Sequence, residues 1–172
     1  MGAVVAFELA RKLREQNRPM PIHLIAAAAS APQTQVEASE MSMRLSRICM
    51  LSDKEFLNGF KEIFGPIFGE REILNSEMKE SWLSAFRSDI QLIAHYSFEK
   101  KKPFHFPITI IAGDSDQSLK NTDLNLWSEN TSASFNIKKM KGGHLFIHEL
   151  ELRELADFVL GQLVIRQKTV GG

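Results

Sequence analysis

Pro107-Ile108-Thr109-Ile110-Ile111-Ala112-Gly113-Asp114-Ser115-Asp116 decides the fold. Pro107 to Ala112 is a run of β-branched and apolar residues, the pattern of a strand, and Gly113 terminates it. Two aspartates follow at once. Downstream, Phe135 to Met140 reads as another strand, and Gly142-Gly143-His144 ends it. In open parallel sheets, functional groups sit just beyond the carboxyl ends of strands. An acid on one such loop and a histidine on the next can therefore meet. A carboxylate behind a histidine holds one tautomer and stabilises the imidazolium when the ring takes a proton.

Upstream, Val5, Leu9 and Leu13 recur every four positions with Ala6 and Ala10 beside them, while Glu8, Arg11, Lys12 and Arg14 fill the other side. This spacing predicts an amphipathic helix over about Gly2 to Gln16, with no capping residue ahead of it. Ile22 to Ala28 is apolar on both faces, as central parallel strands are. Gln33 to Leu51 is weakly periodic and reads as a loop or partly helical crossing. Ser52-Asp53-Lys54-Glu55 is a capping box; it opens a helix bearing Phe56, Leu57, Phe60, Ile63 and Phe64, which Gly65-Pro66 stops. A longer helix over about Ser76 to Tyr96 aligns Met78, Trp82, Phe86, Ile90 and Ile93. A short helix is expected near Asp123 to Glu129. A last one runs from about Glu149 to Arg166, with Leu152, Leu155, Ala156, Val159 and Leu163 inward. Helices alternating with strands make an α/β chain with a parallel sheet. The exception is a helical insertion over about residues 33–105. The 172 residues fit a single domain.

Composition excludes several classes. Lys plus Arg and Asp plus Glu are 21 each, so no net charge or basic stripe favours nucleic acid. No apolar run is long enough to span a membrane, and no secretory signal opens the chain. A lone cysteine, Cys49, fits a reducing compartment, and the expected location is cytoplasmic. His144 and His148 lack a third ligand at a metal-site spacing, so no metal is expected. Ser115 precedes no helix and is a poor nucleophile. Spacing alone leaves Asp114 and Asp123 as rivals to Asp116, and glycine-rich turn chemistry as the plainer reading of both loops.

The chain resembles the type II thioesterases that accompany nonribosomal peptide and polyketide synthases, a family that includes the medium-chain thioesterase of fatty acid synthesis. Met1-Gly2-Ala3-Val4-Val5-Ala6-Phe7-Glu8-Leu9-Ala10 resembles the family's residues directly after the serine of its Gly-His-Ser-Met-Gly elbow. Ala31-Pro32, Leu51 to Leu57, Arg87-Ser88-Asp89, the strand before Asp116, and Trp127 resemble further family positions. Gly142-Gly143-His144-Leu145-Phe146 resembles the family's Gly-Gly-His-Phe-Phe and is the most specific match.

The resemblance implies the C-terminal part of an α/β-hydrolase fold, a parallel sheet with a helical lid insertion. It assigns Asp116 and His144 to the triad and places the nucleophilic serine immediately before Met1. The expectation is thus an N-terminally truncated domain, inactive alone, whose Met1 backbone N–H would be the oxyanion donor of the intact protein. Phe56, Phe60, Phe64, Trp82 and Phe86 are the expected lid residues against an acyl chain, and Met41, Met43 and Met50 could line its channel. Arg87 and Asp89 are read as structural. The implied substrate is an acyl group on the phosphopantetheine arm of an acyl or peptidyl carrier protein, with no cofactor. The alternatives are a lipase or esterase, or a non-catalytic carrier-binding fragment.

Overall fold

The computed structural model describes residues 1–34, 40–65, 75, 77–120, 122–148 and 152–169; in the last stretch side chains are described from 153 to 162. In chain order the elements are α1 (Gly2–Glu15), β1 (Leu24–Ala27), α2 (Glu40–Cys49), α3 (Asp53–Phe64), α4 (Lys79–Ala94), β2 (Ile108–Gly113), β3 (Phe135–Met140) and α5 (Leu152–Thr169). Short 3-10 turns lie at Pro32–Thr34, Gln117–Leu119, Leu124–Asn130 and Phe146–His148. Among the described residues no helix is long and apolar enough to cross a membrane.

The sheet is parallel, in the order β1-β2-β3, with Leu24 opposite Ile108 and Ile108 opposite Phe135. Every residue of β2 is buried, which is why its sequence shows no polar alternation. Ile108 and Ile110 face Phe7, Phe104, Phe106 and Trp127 on one side. Ile111 joins Met140 and Phe146 on the other, where Leu155 and Phe158 of α5 pack. Trp127 is wholly buried, and its Nε1–H donates to the Ala29 carbonyl at 3.0 Å. A buried indole thus finds its acceptor and fixes the loop after β1. β1 is shorter than the expected Ile22 to Ala28: Ile22 lies exposed before it.

The inward face of α1 differs from the expected one. Val4, Phe7, Ala10 and Arg11 are buried, whereas Val5 and Leu9 are more than half exposed. The sequence offers two apolar stripes, and the one containing the aromatic wins. Phe7 meets Phe104 and Trp127 edge-on at 5.4 and 5.8 Å. Arg11 accompanies it inward because its guanidinium lies over the rings of Phe7 and Phe98, at 4.5 and 4.7 Å, and pairs with Glu8 at 3.1 Å. A delocalised cation loses little when an aromatic face and a carboxylate replace its water.

Between β1 and β2, α2, α3 and α4 bury a second cluster, with Leu45, Ile48, Phe56, Leu57, Leu83 and Ile90 among its members. The expected crossing over Gln33 to Leu51 is therefore largely a helix, α2; residues 35–39 lie outside the described residues. Its period is weak in sequence because Met41, Met43 and Met50 are apolar yet exposed. At the start of α3, Glu55 accepts from the Ser52 N–H at 3.2 Å and from its hydroxyl at 2.6 Å. α4 begins at Lys79, with Met78 exposed before it; Ser76 and Pro66 lie outside the described residues. Arg87 donates to the Cys49 carbonyl at 2.7 Å and to Asp53 at 3.0 Å, tying α4 to the α2–α3 junction. The arginine is structural as expected, with Asp53 as its partner. The turn at Leu124–Asn130 is 3-10, capped by Asp123, which accepts from the Asn125 N–H at 2.9 Å. On α5, Leu155, Phe158 and Val159 are half-buried but Ala156 is exposed, because the larger Phe158 takes the inward position. Glu149 and the side chains of Leu152 and Leu163 lie outside the described residues.

Candidate active site

β2 and β3 are adjacent and parallel, so the loops after Gly113 and Met140 leave the sheet side by side. They touch through backbone. A Cβ on Gly113 would lie 2.3 Å from the Gly143 carbonyl oxygen and 2.4 Å from that of Gly142, so glycine is required there. Gly142 itself has φ 123°, outside the range of ordinary side chains. The Ser115 N–H donates to the Gly142 carbonyl at 3.1 Å, and the Gly142 N–H donates to Asp114 Oδ1, also at 3.1 Å. Asp114 is thereby committed to holding the two loops together.

Asp116 has the other role. Its side chain is fully buried, and Oδ2 accepts from His144 Nδ1 at 2.9 Å. Oδ1 accepts twice from Ser118, from the N–H at 2.9 Å and from the hydroxyl at 2.6 Å. Burial pushes the Asp116 carboxyl up, but hydrogen bonds from His144 and Ser118, with the histidine's charge, outweigh it and hold the group below its ordinary value. That direction sets the pH dependence. The stability Asp116 contributes is present above the ordinary carboxylate value and is lost as pH falls through the lowered one.

A carboxylate only accepts, so the proton between the pair sits on Nδ1, and in the neutral ring Nε2 is the nitrogen left with a lone pair. His144 borders a cavity of about 660 Å³. Its walls come from Met1, Ala3 and Val4 at the start of α1, from Ala28 to Ser30 after β1, and from Leu119 and Leu126. Met41, Leu45, Phe60, Phe64, Phe86, Ile90 and Ile93 close it from the lid helices. Phe64 lies against His144 itself, with ring centroids 4.8 Å apart.

Of the expected lid contacts, Phe60, Phe64 and Phe86 line this cavity, but Phe56 and Trp82 do not. Phe56 is fully buried among the lid helices, with the Arg87 guanidinium over its ring at 4.3 Å. Trp82 rests on Phe86, centroids 4.9 Å apart. The cavity meets α3 only from Phe60 on and α4 only from Phe86 on, and Phe56 and Trp82 sit one helical turn too early. Met41 borders the cavity, whereas Met43 and Met50 do not.

Met1 lies at the N-terminus of α1 and on the cavity wall. Burial lowers its amine below the ordinary value, while the charge of Asp89, another cavity residue, works the other way. Among the described residues no three His, Cys, Asp or Glu side chains cluster as metal ligands. Sequence reasoning missed Ser118, and it read Asp89 as structural where the side chain lines the cavity. The Asp116-x-Ser118 spacing, at which an aspartate caps its own backbone two residues on, was the available signal for the first.

The thioesterase domain family model matches residues 1–163. The chain belongs to that family. It is 29% identical to the gramicidin S biosynthesis protein GrsT of Aneurinibacillus migulanus, over 95% of this chain and 60% of that protein. It is 31% identical to the linear gramicidin dehydrogenase LgrE of Brevibacillus parabrevis, over 91% of this chain and 57% of that one. The thioesterase RedJ of the prodiginine pathway in Streptomyces coelicolor shares the α/β-hydrolase fold, with a TM-score of 0.74 and 22% identity over 94% of this chain and 59% of RedJ. This thioesterase-family chain thus spans about three-fifths of the length of the relatives it matches.

Proposed function

We propose that the protein hydrolyses acyl thioesters held on the phosphopantetheine arm of a carrier protein, in the cytoplasm and without a cofactor. The observation that supports this best is His144, backed by buried Asp116 through Nδ1 and bordering a largely apolar cavity with room for an acyl chain. The reaction needs a serine joined directly before Met1, as the family resemblance implies; it attacks the thioester carbonyl as its proton passes to His144 Nε2. The Met1 backbone N–H steadies the developing oxyanion, for which the start of a helix is well suited. The intermediate collapses, the C–S bond breaks, and the thiolate takes the proton from His144. Water, deprotonated by the same nitrogen, then cleaves the acyl-serine. The carrier partner is supported by the relatives' association with peptide biosynthesis. LgrE is named a dehydrogenase, but the 172 residues here hold no Gly-x-Gly-x-x-Gly turn for a dinucleotide.

The experiment compares two forms: the 172-residue chain, and a chimera with the upstream strands and Gly-His-Ser turn of a type II thioesterase fused before Met1. Both are given an acyl-loaded carrier domain, and thiol release is followed. His144 has hydrogen bonds to Asp116 and Ser118 through Nδ1, and no described hydroxyl bonds to Nε2. The expected result is turnover by the chimera and none by the 172 residues, a gap of about 10⁶-fold. Phosphonate-sensitive turnover by the shorter form would refute the placement of the nucleophile. A chimera that cleaved simple esters and spared acyl-pantetheine would be an esterase, and one that bound the carrier without turnover would be an interaction module.

The lid supplies a second expectation. Phe60 borders the cavity between Phe64 and Phe86, at 4.6 and 4.7 Å between centroids. In the chimera, Phe60→Leu shifts the preferred acyl chain to greater length. Trp82→Ala, away from the cavity, lowers stability by about 3 kcal/mol and leaves the length profile alone. Competition between acyl-pantetheines of graded length, with thermal melts alongside, reads both; the same profile shift in both variants would refute the lid assignment.

A further inference from the structure

We infer that Ser118 is a positioning residue of the catalytic apparatus, the side chain that fixes which oxygen of Asp116 faces His144; this rests on the reading of Asp116 and His144 as triad members. Two observations meet at its hydroxyl. As a donor, it closes on Asp116 Oδ1 at 2.6 Å, beside the Ser118 N–H at 2.9 Å. As an acceptor, its oxygen stands 3.0 Å from His144 Nδ1, almost as near as Oδ2 at 2.9 Å. The Nδ1 proton is shared between the carboxylate and this hydroxyl.

The consequence is geometric. Asp116 is shut off from water, so every lone pair of Oδ1 must be met from within the protein. Ser118 meets two of them, and Oδ2 is left for the imidazole. The carboxylate cannot turn about its terminal bond without giving up both contacts. A side chain that merely completed the turn at Gln117–Leu119 would need only the backbone N–H, which any residue but proline supplies. The hydroxyl's approach to Nδ1 is extra to the turn, and it pins the ring from beside the carboxylate. Alanine at 118 keeps the N–H contact and loses both hydroxyl contacts, so carboxylate and ring gain freedom together. Threonine keeps the hydroxyl. Cysteine keeps the volume but is a weak donor and acceptor.

The test needs no turnover and uses the 172-residue chain as it is. Long-range ¹H–¹⁵N spectra of uniformly ¹⁵N-labelled protein read the tautomer of His144 and the exchange of its Nδ1 proton with water. In the unmodified chain the Nδ1–H tautomer is expected to dominate. Ser118→Ala should speed exchange of that proton by about tenfold, the worth of one hydrogen bond to a charged group, and mix the tautomers. Ser118→Thr should restore the unmodified behaviour. Ser118→Cys should repeat the alanine result without opening a gap, so the outcome stands even if the alanine variant folds poorly. Asp116→Asn sets the scale of complete loss. If the alanine and cysteine variants match the unmodified chain while Asp116→Asn does not, Ser118 has no positioning role. Should threonine behave like alanine, the effect belongs to packing and the inference falls. If Asp116→Asn itself changes nothing, the pairing of Asp116 with His144 is what has failed.

Discussion

In the serine-completed chimera, His144→Ala lowers kcat/KM by about 10⁴-fold or more and Asp116→Asn by a comparable factor, whereas Asp114→Asn costs less than about threefold. In the proposed reaction, and among the described residues, His144 is the group placed to take the serine proton and return it to sulfur, so its loss leaves oxyanion stabilisation and binding alone. Asp116→Asn is nearly isosteric, but it can turn an NH₂ toward Nδ1, where the carboxylate had only accepted. The ring then presents the wrong nitrogen protonated to the serine. Asp114 differs because its contact is with backbone: Oδ1 accepts from the Gly142 N–H at 3.1 Å, and an asparagine carbonyl oxygen does the same. Two carboxylates so close in sequence thus separate by what they touch. Steady-state kinetics on acyl-pantetheine decides the matter. Equal losses at Asp114 and Asp116 would leave the acid unassigned, and a greater loss at Asp114 would reverse the assignment.

The sheet was legible chiefly from β2, a dense run of β-branched residues ended by glycine, and such a run has few other folds open to it; β3 mixes apolar and polar residues and lies largely exposed at the sheet edge. Asp116 and His144 were legible because the loops after adjacent parallel strands must emerge together. The inward face of α1 was not. Counting apolar positions favours Val5, Leu9 and Leu13, but a helix buries the stripe with the best partners, and Phe7 finds Phe104 and Trp127. Arg11 could not be read as buried from its own identity, since Phe98, the second ring that covers its guanidinium, lies far along the chain. The lid shows the same limit. Periodicity aligns Phe56 with Phe60 and Phe64, and Trp82 with Phe86, but it cannot say where along α3 and α4 the cavity begins. Ser118 was missed because a serine two residues after an aspartate first signals a turn, and only the position of His144 gives its hydroxyl a second partner.

Gly113→Ala is expected to be the most damaging change outside the Asp116–His144 pair. The position lacks a positive φ, so the objection to a side chain is not conformational. It is steric, and the obstacles are rigid. The added carbon would stand 2.3 Å from the Gly143 oxygen and 2.4 Å from the Gly142 oxygen, well inside any tolerable contact, and neither is the end of a flexible side chain. One of the two loops must move. The β2 side is anchored, because Gly113 ends a wholly buried strand paired on both edges. The loop after β3 is the softer side, and it bears His144. Its withdrawal stretches the Gly142–Asp114 and Ser115–Gly142 hydrogen bonds and draws Nδ1 away from Asp116. Overpacking of this kind costs about 1–3 kcal/mol of stability. A displacement of the reacting nitrogen by about 1 Å costs about 10²-fold in rate. Both should appear together in the chimera: a lower melting temperature and a fall in kcat with KM little changed. Unaltered kcat alongside a lowered melting temperature would mean that the β2 loop had yielded instead, with His144 held in place by contacts other than Gly113.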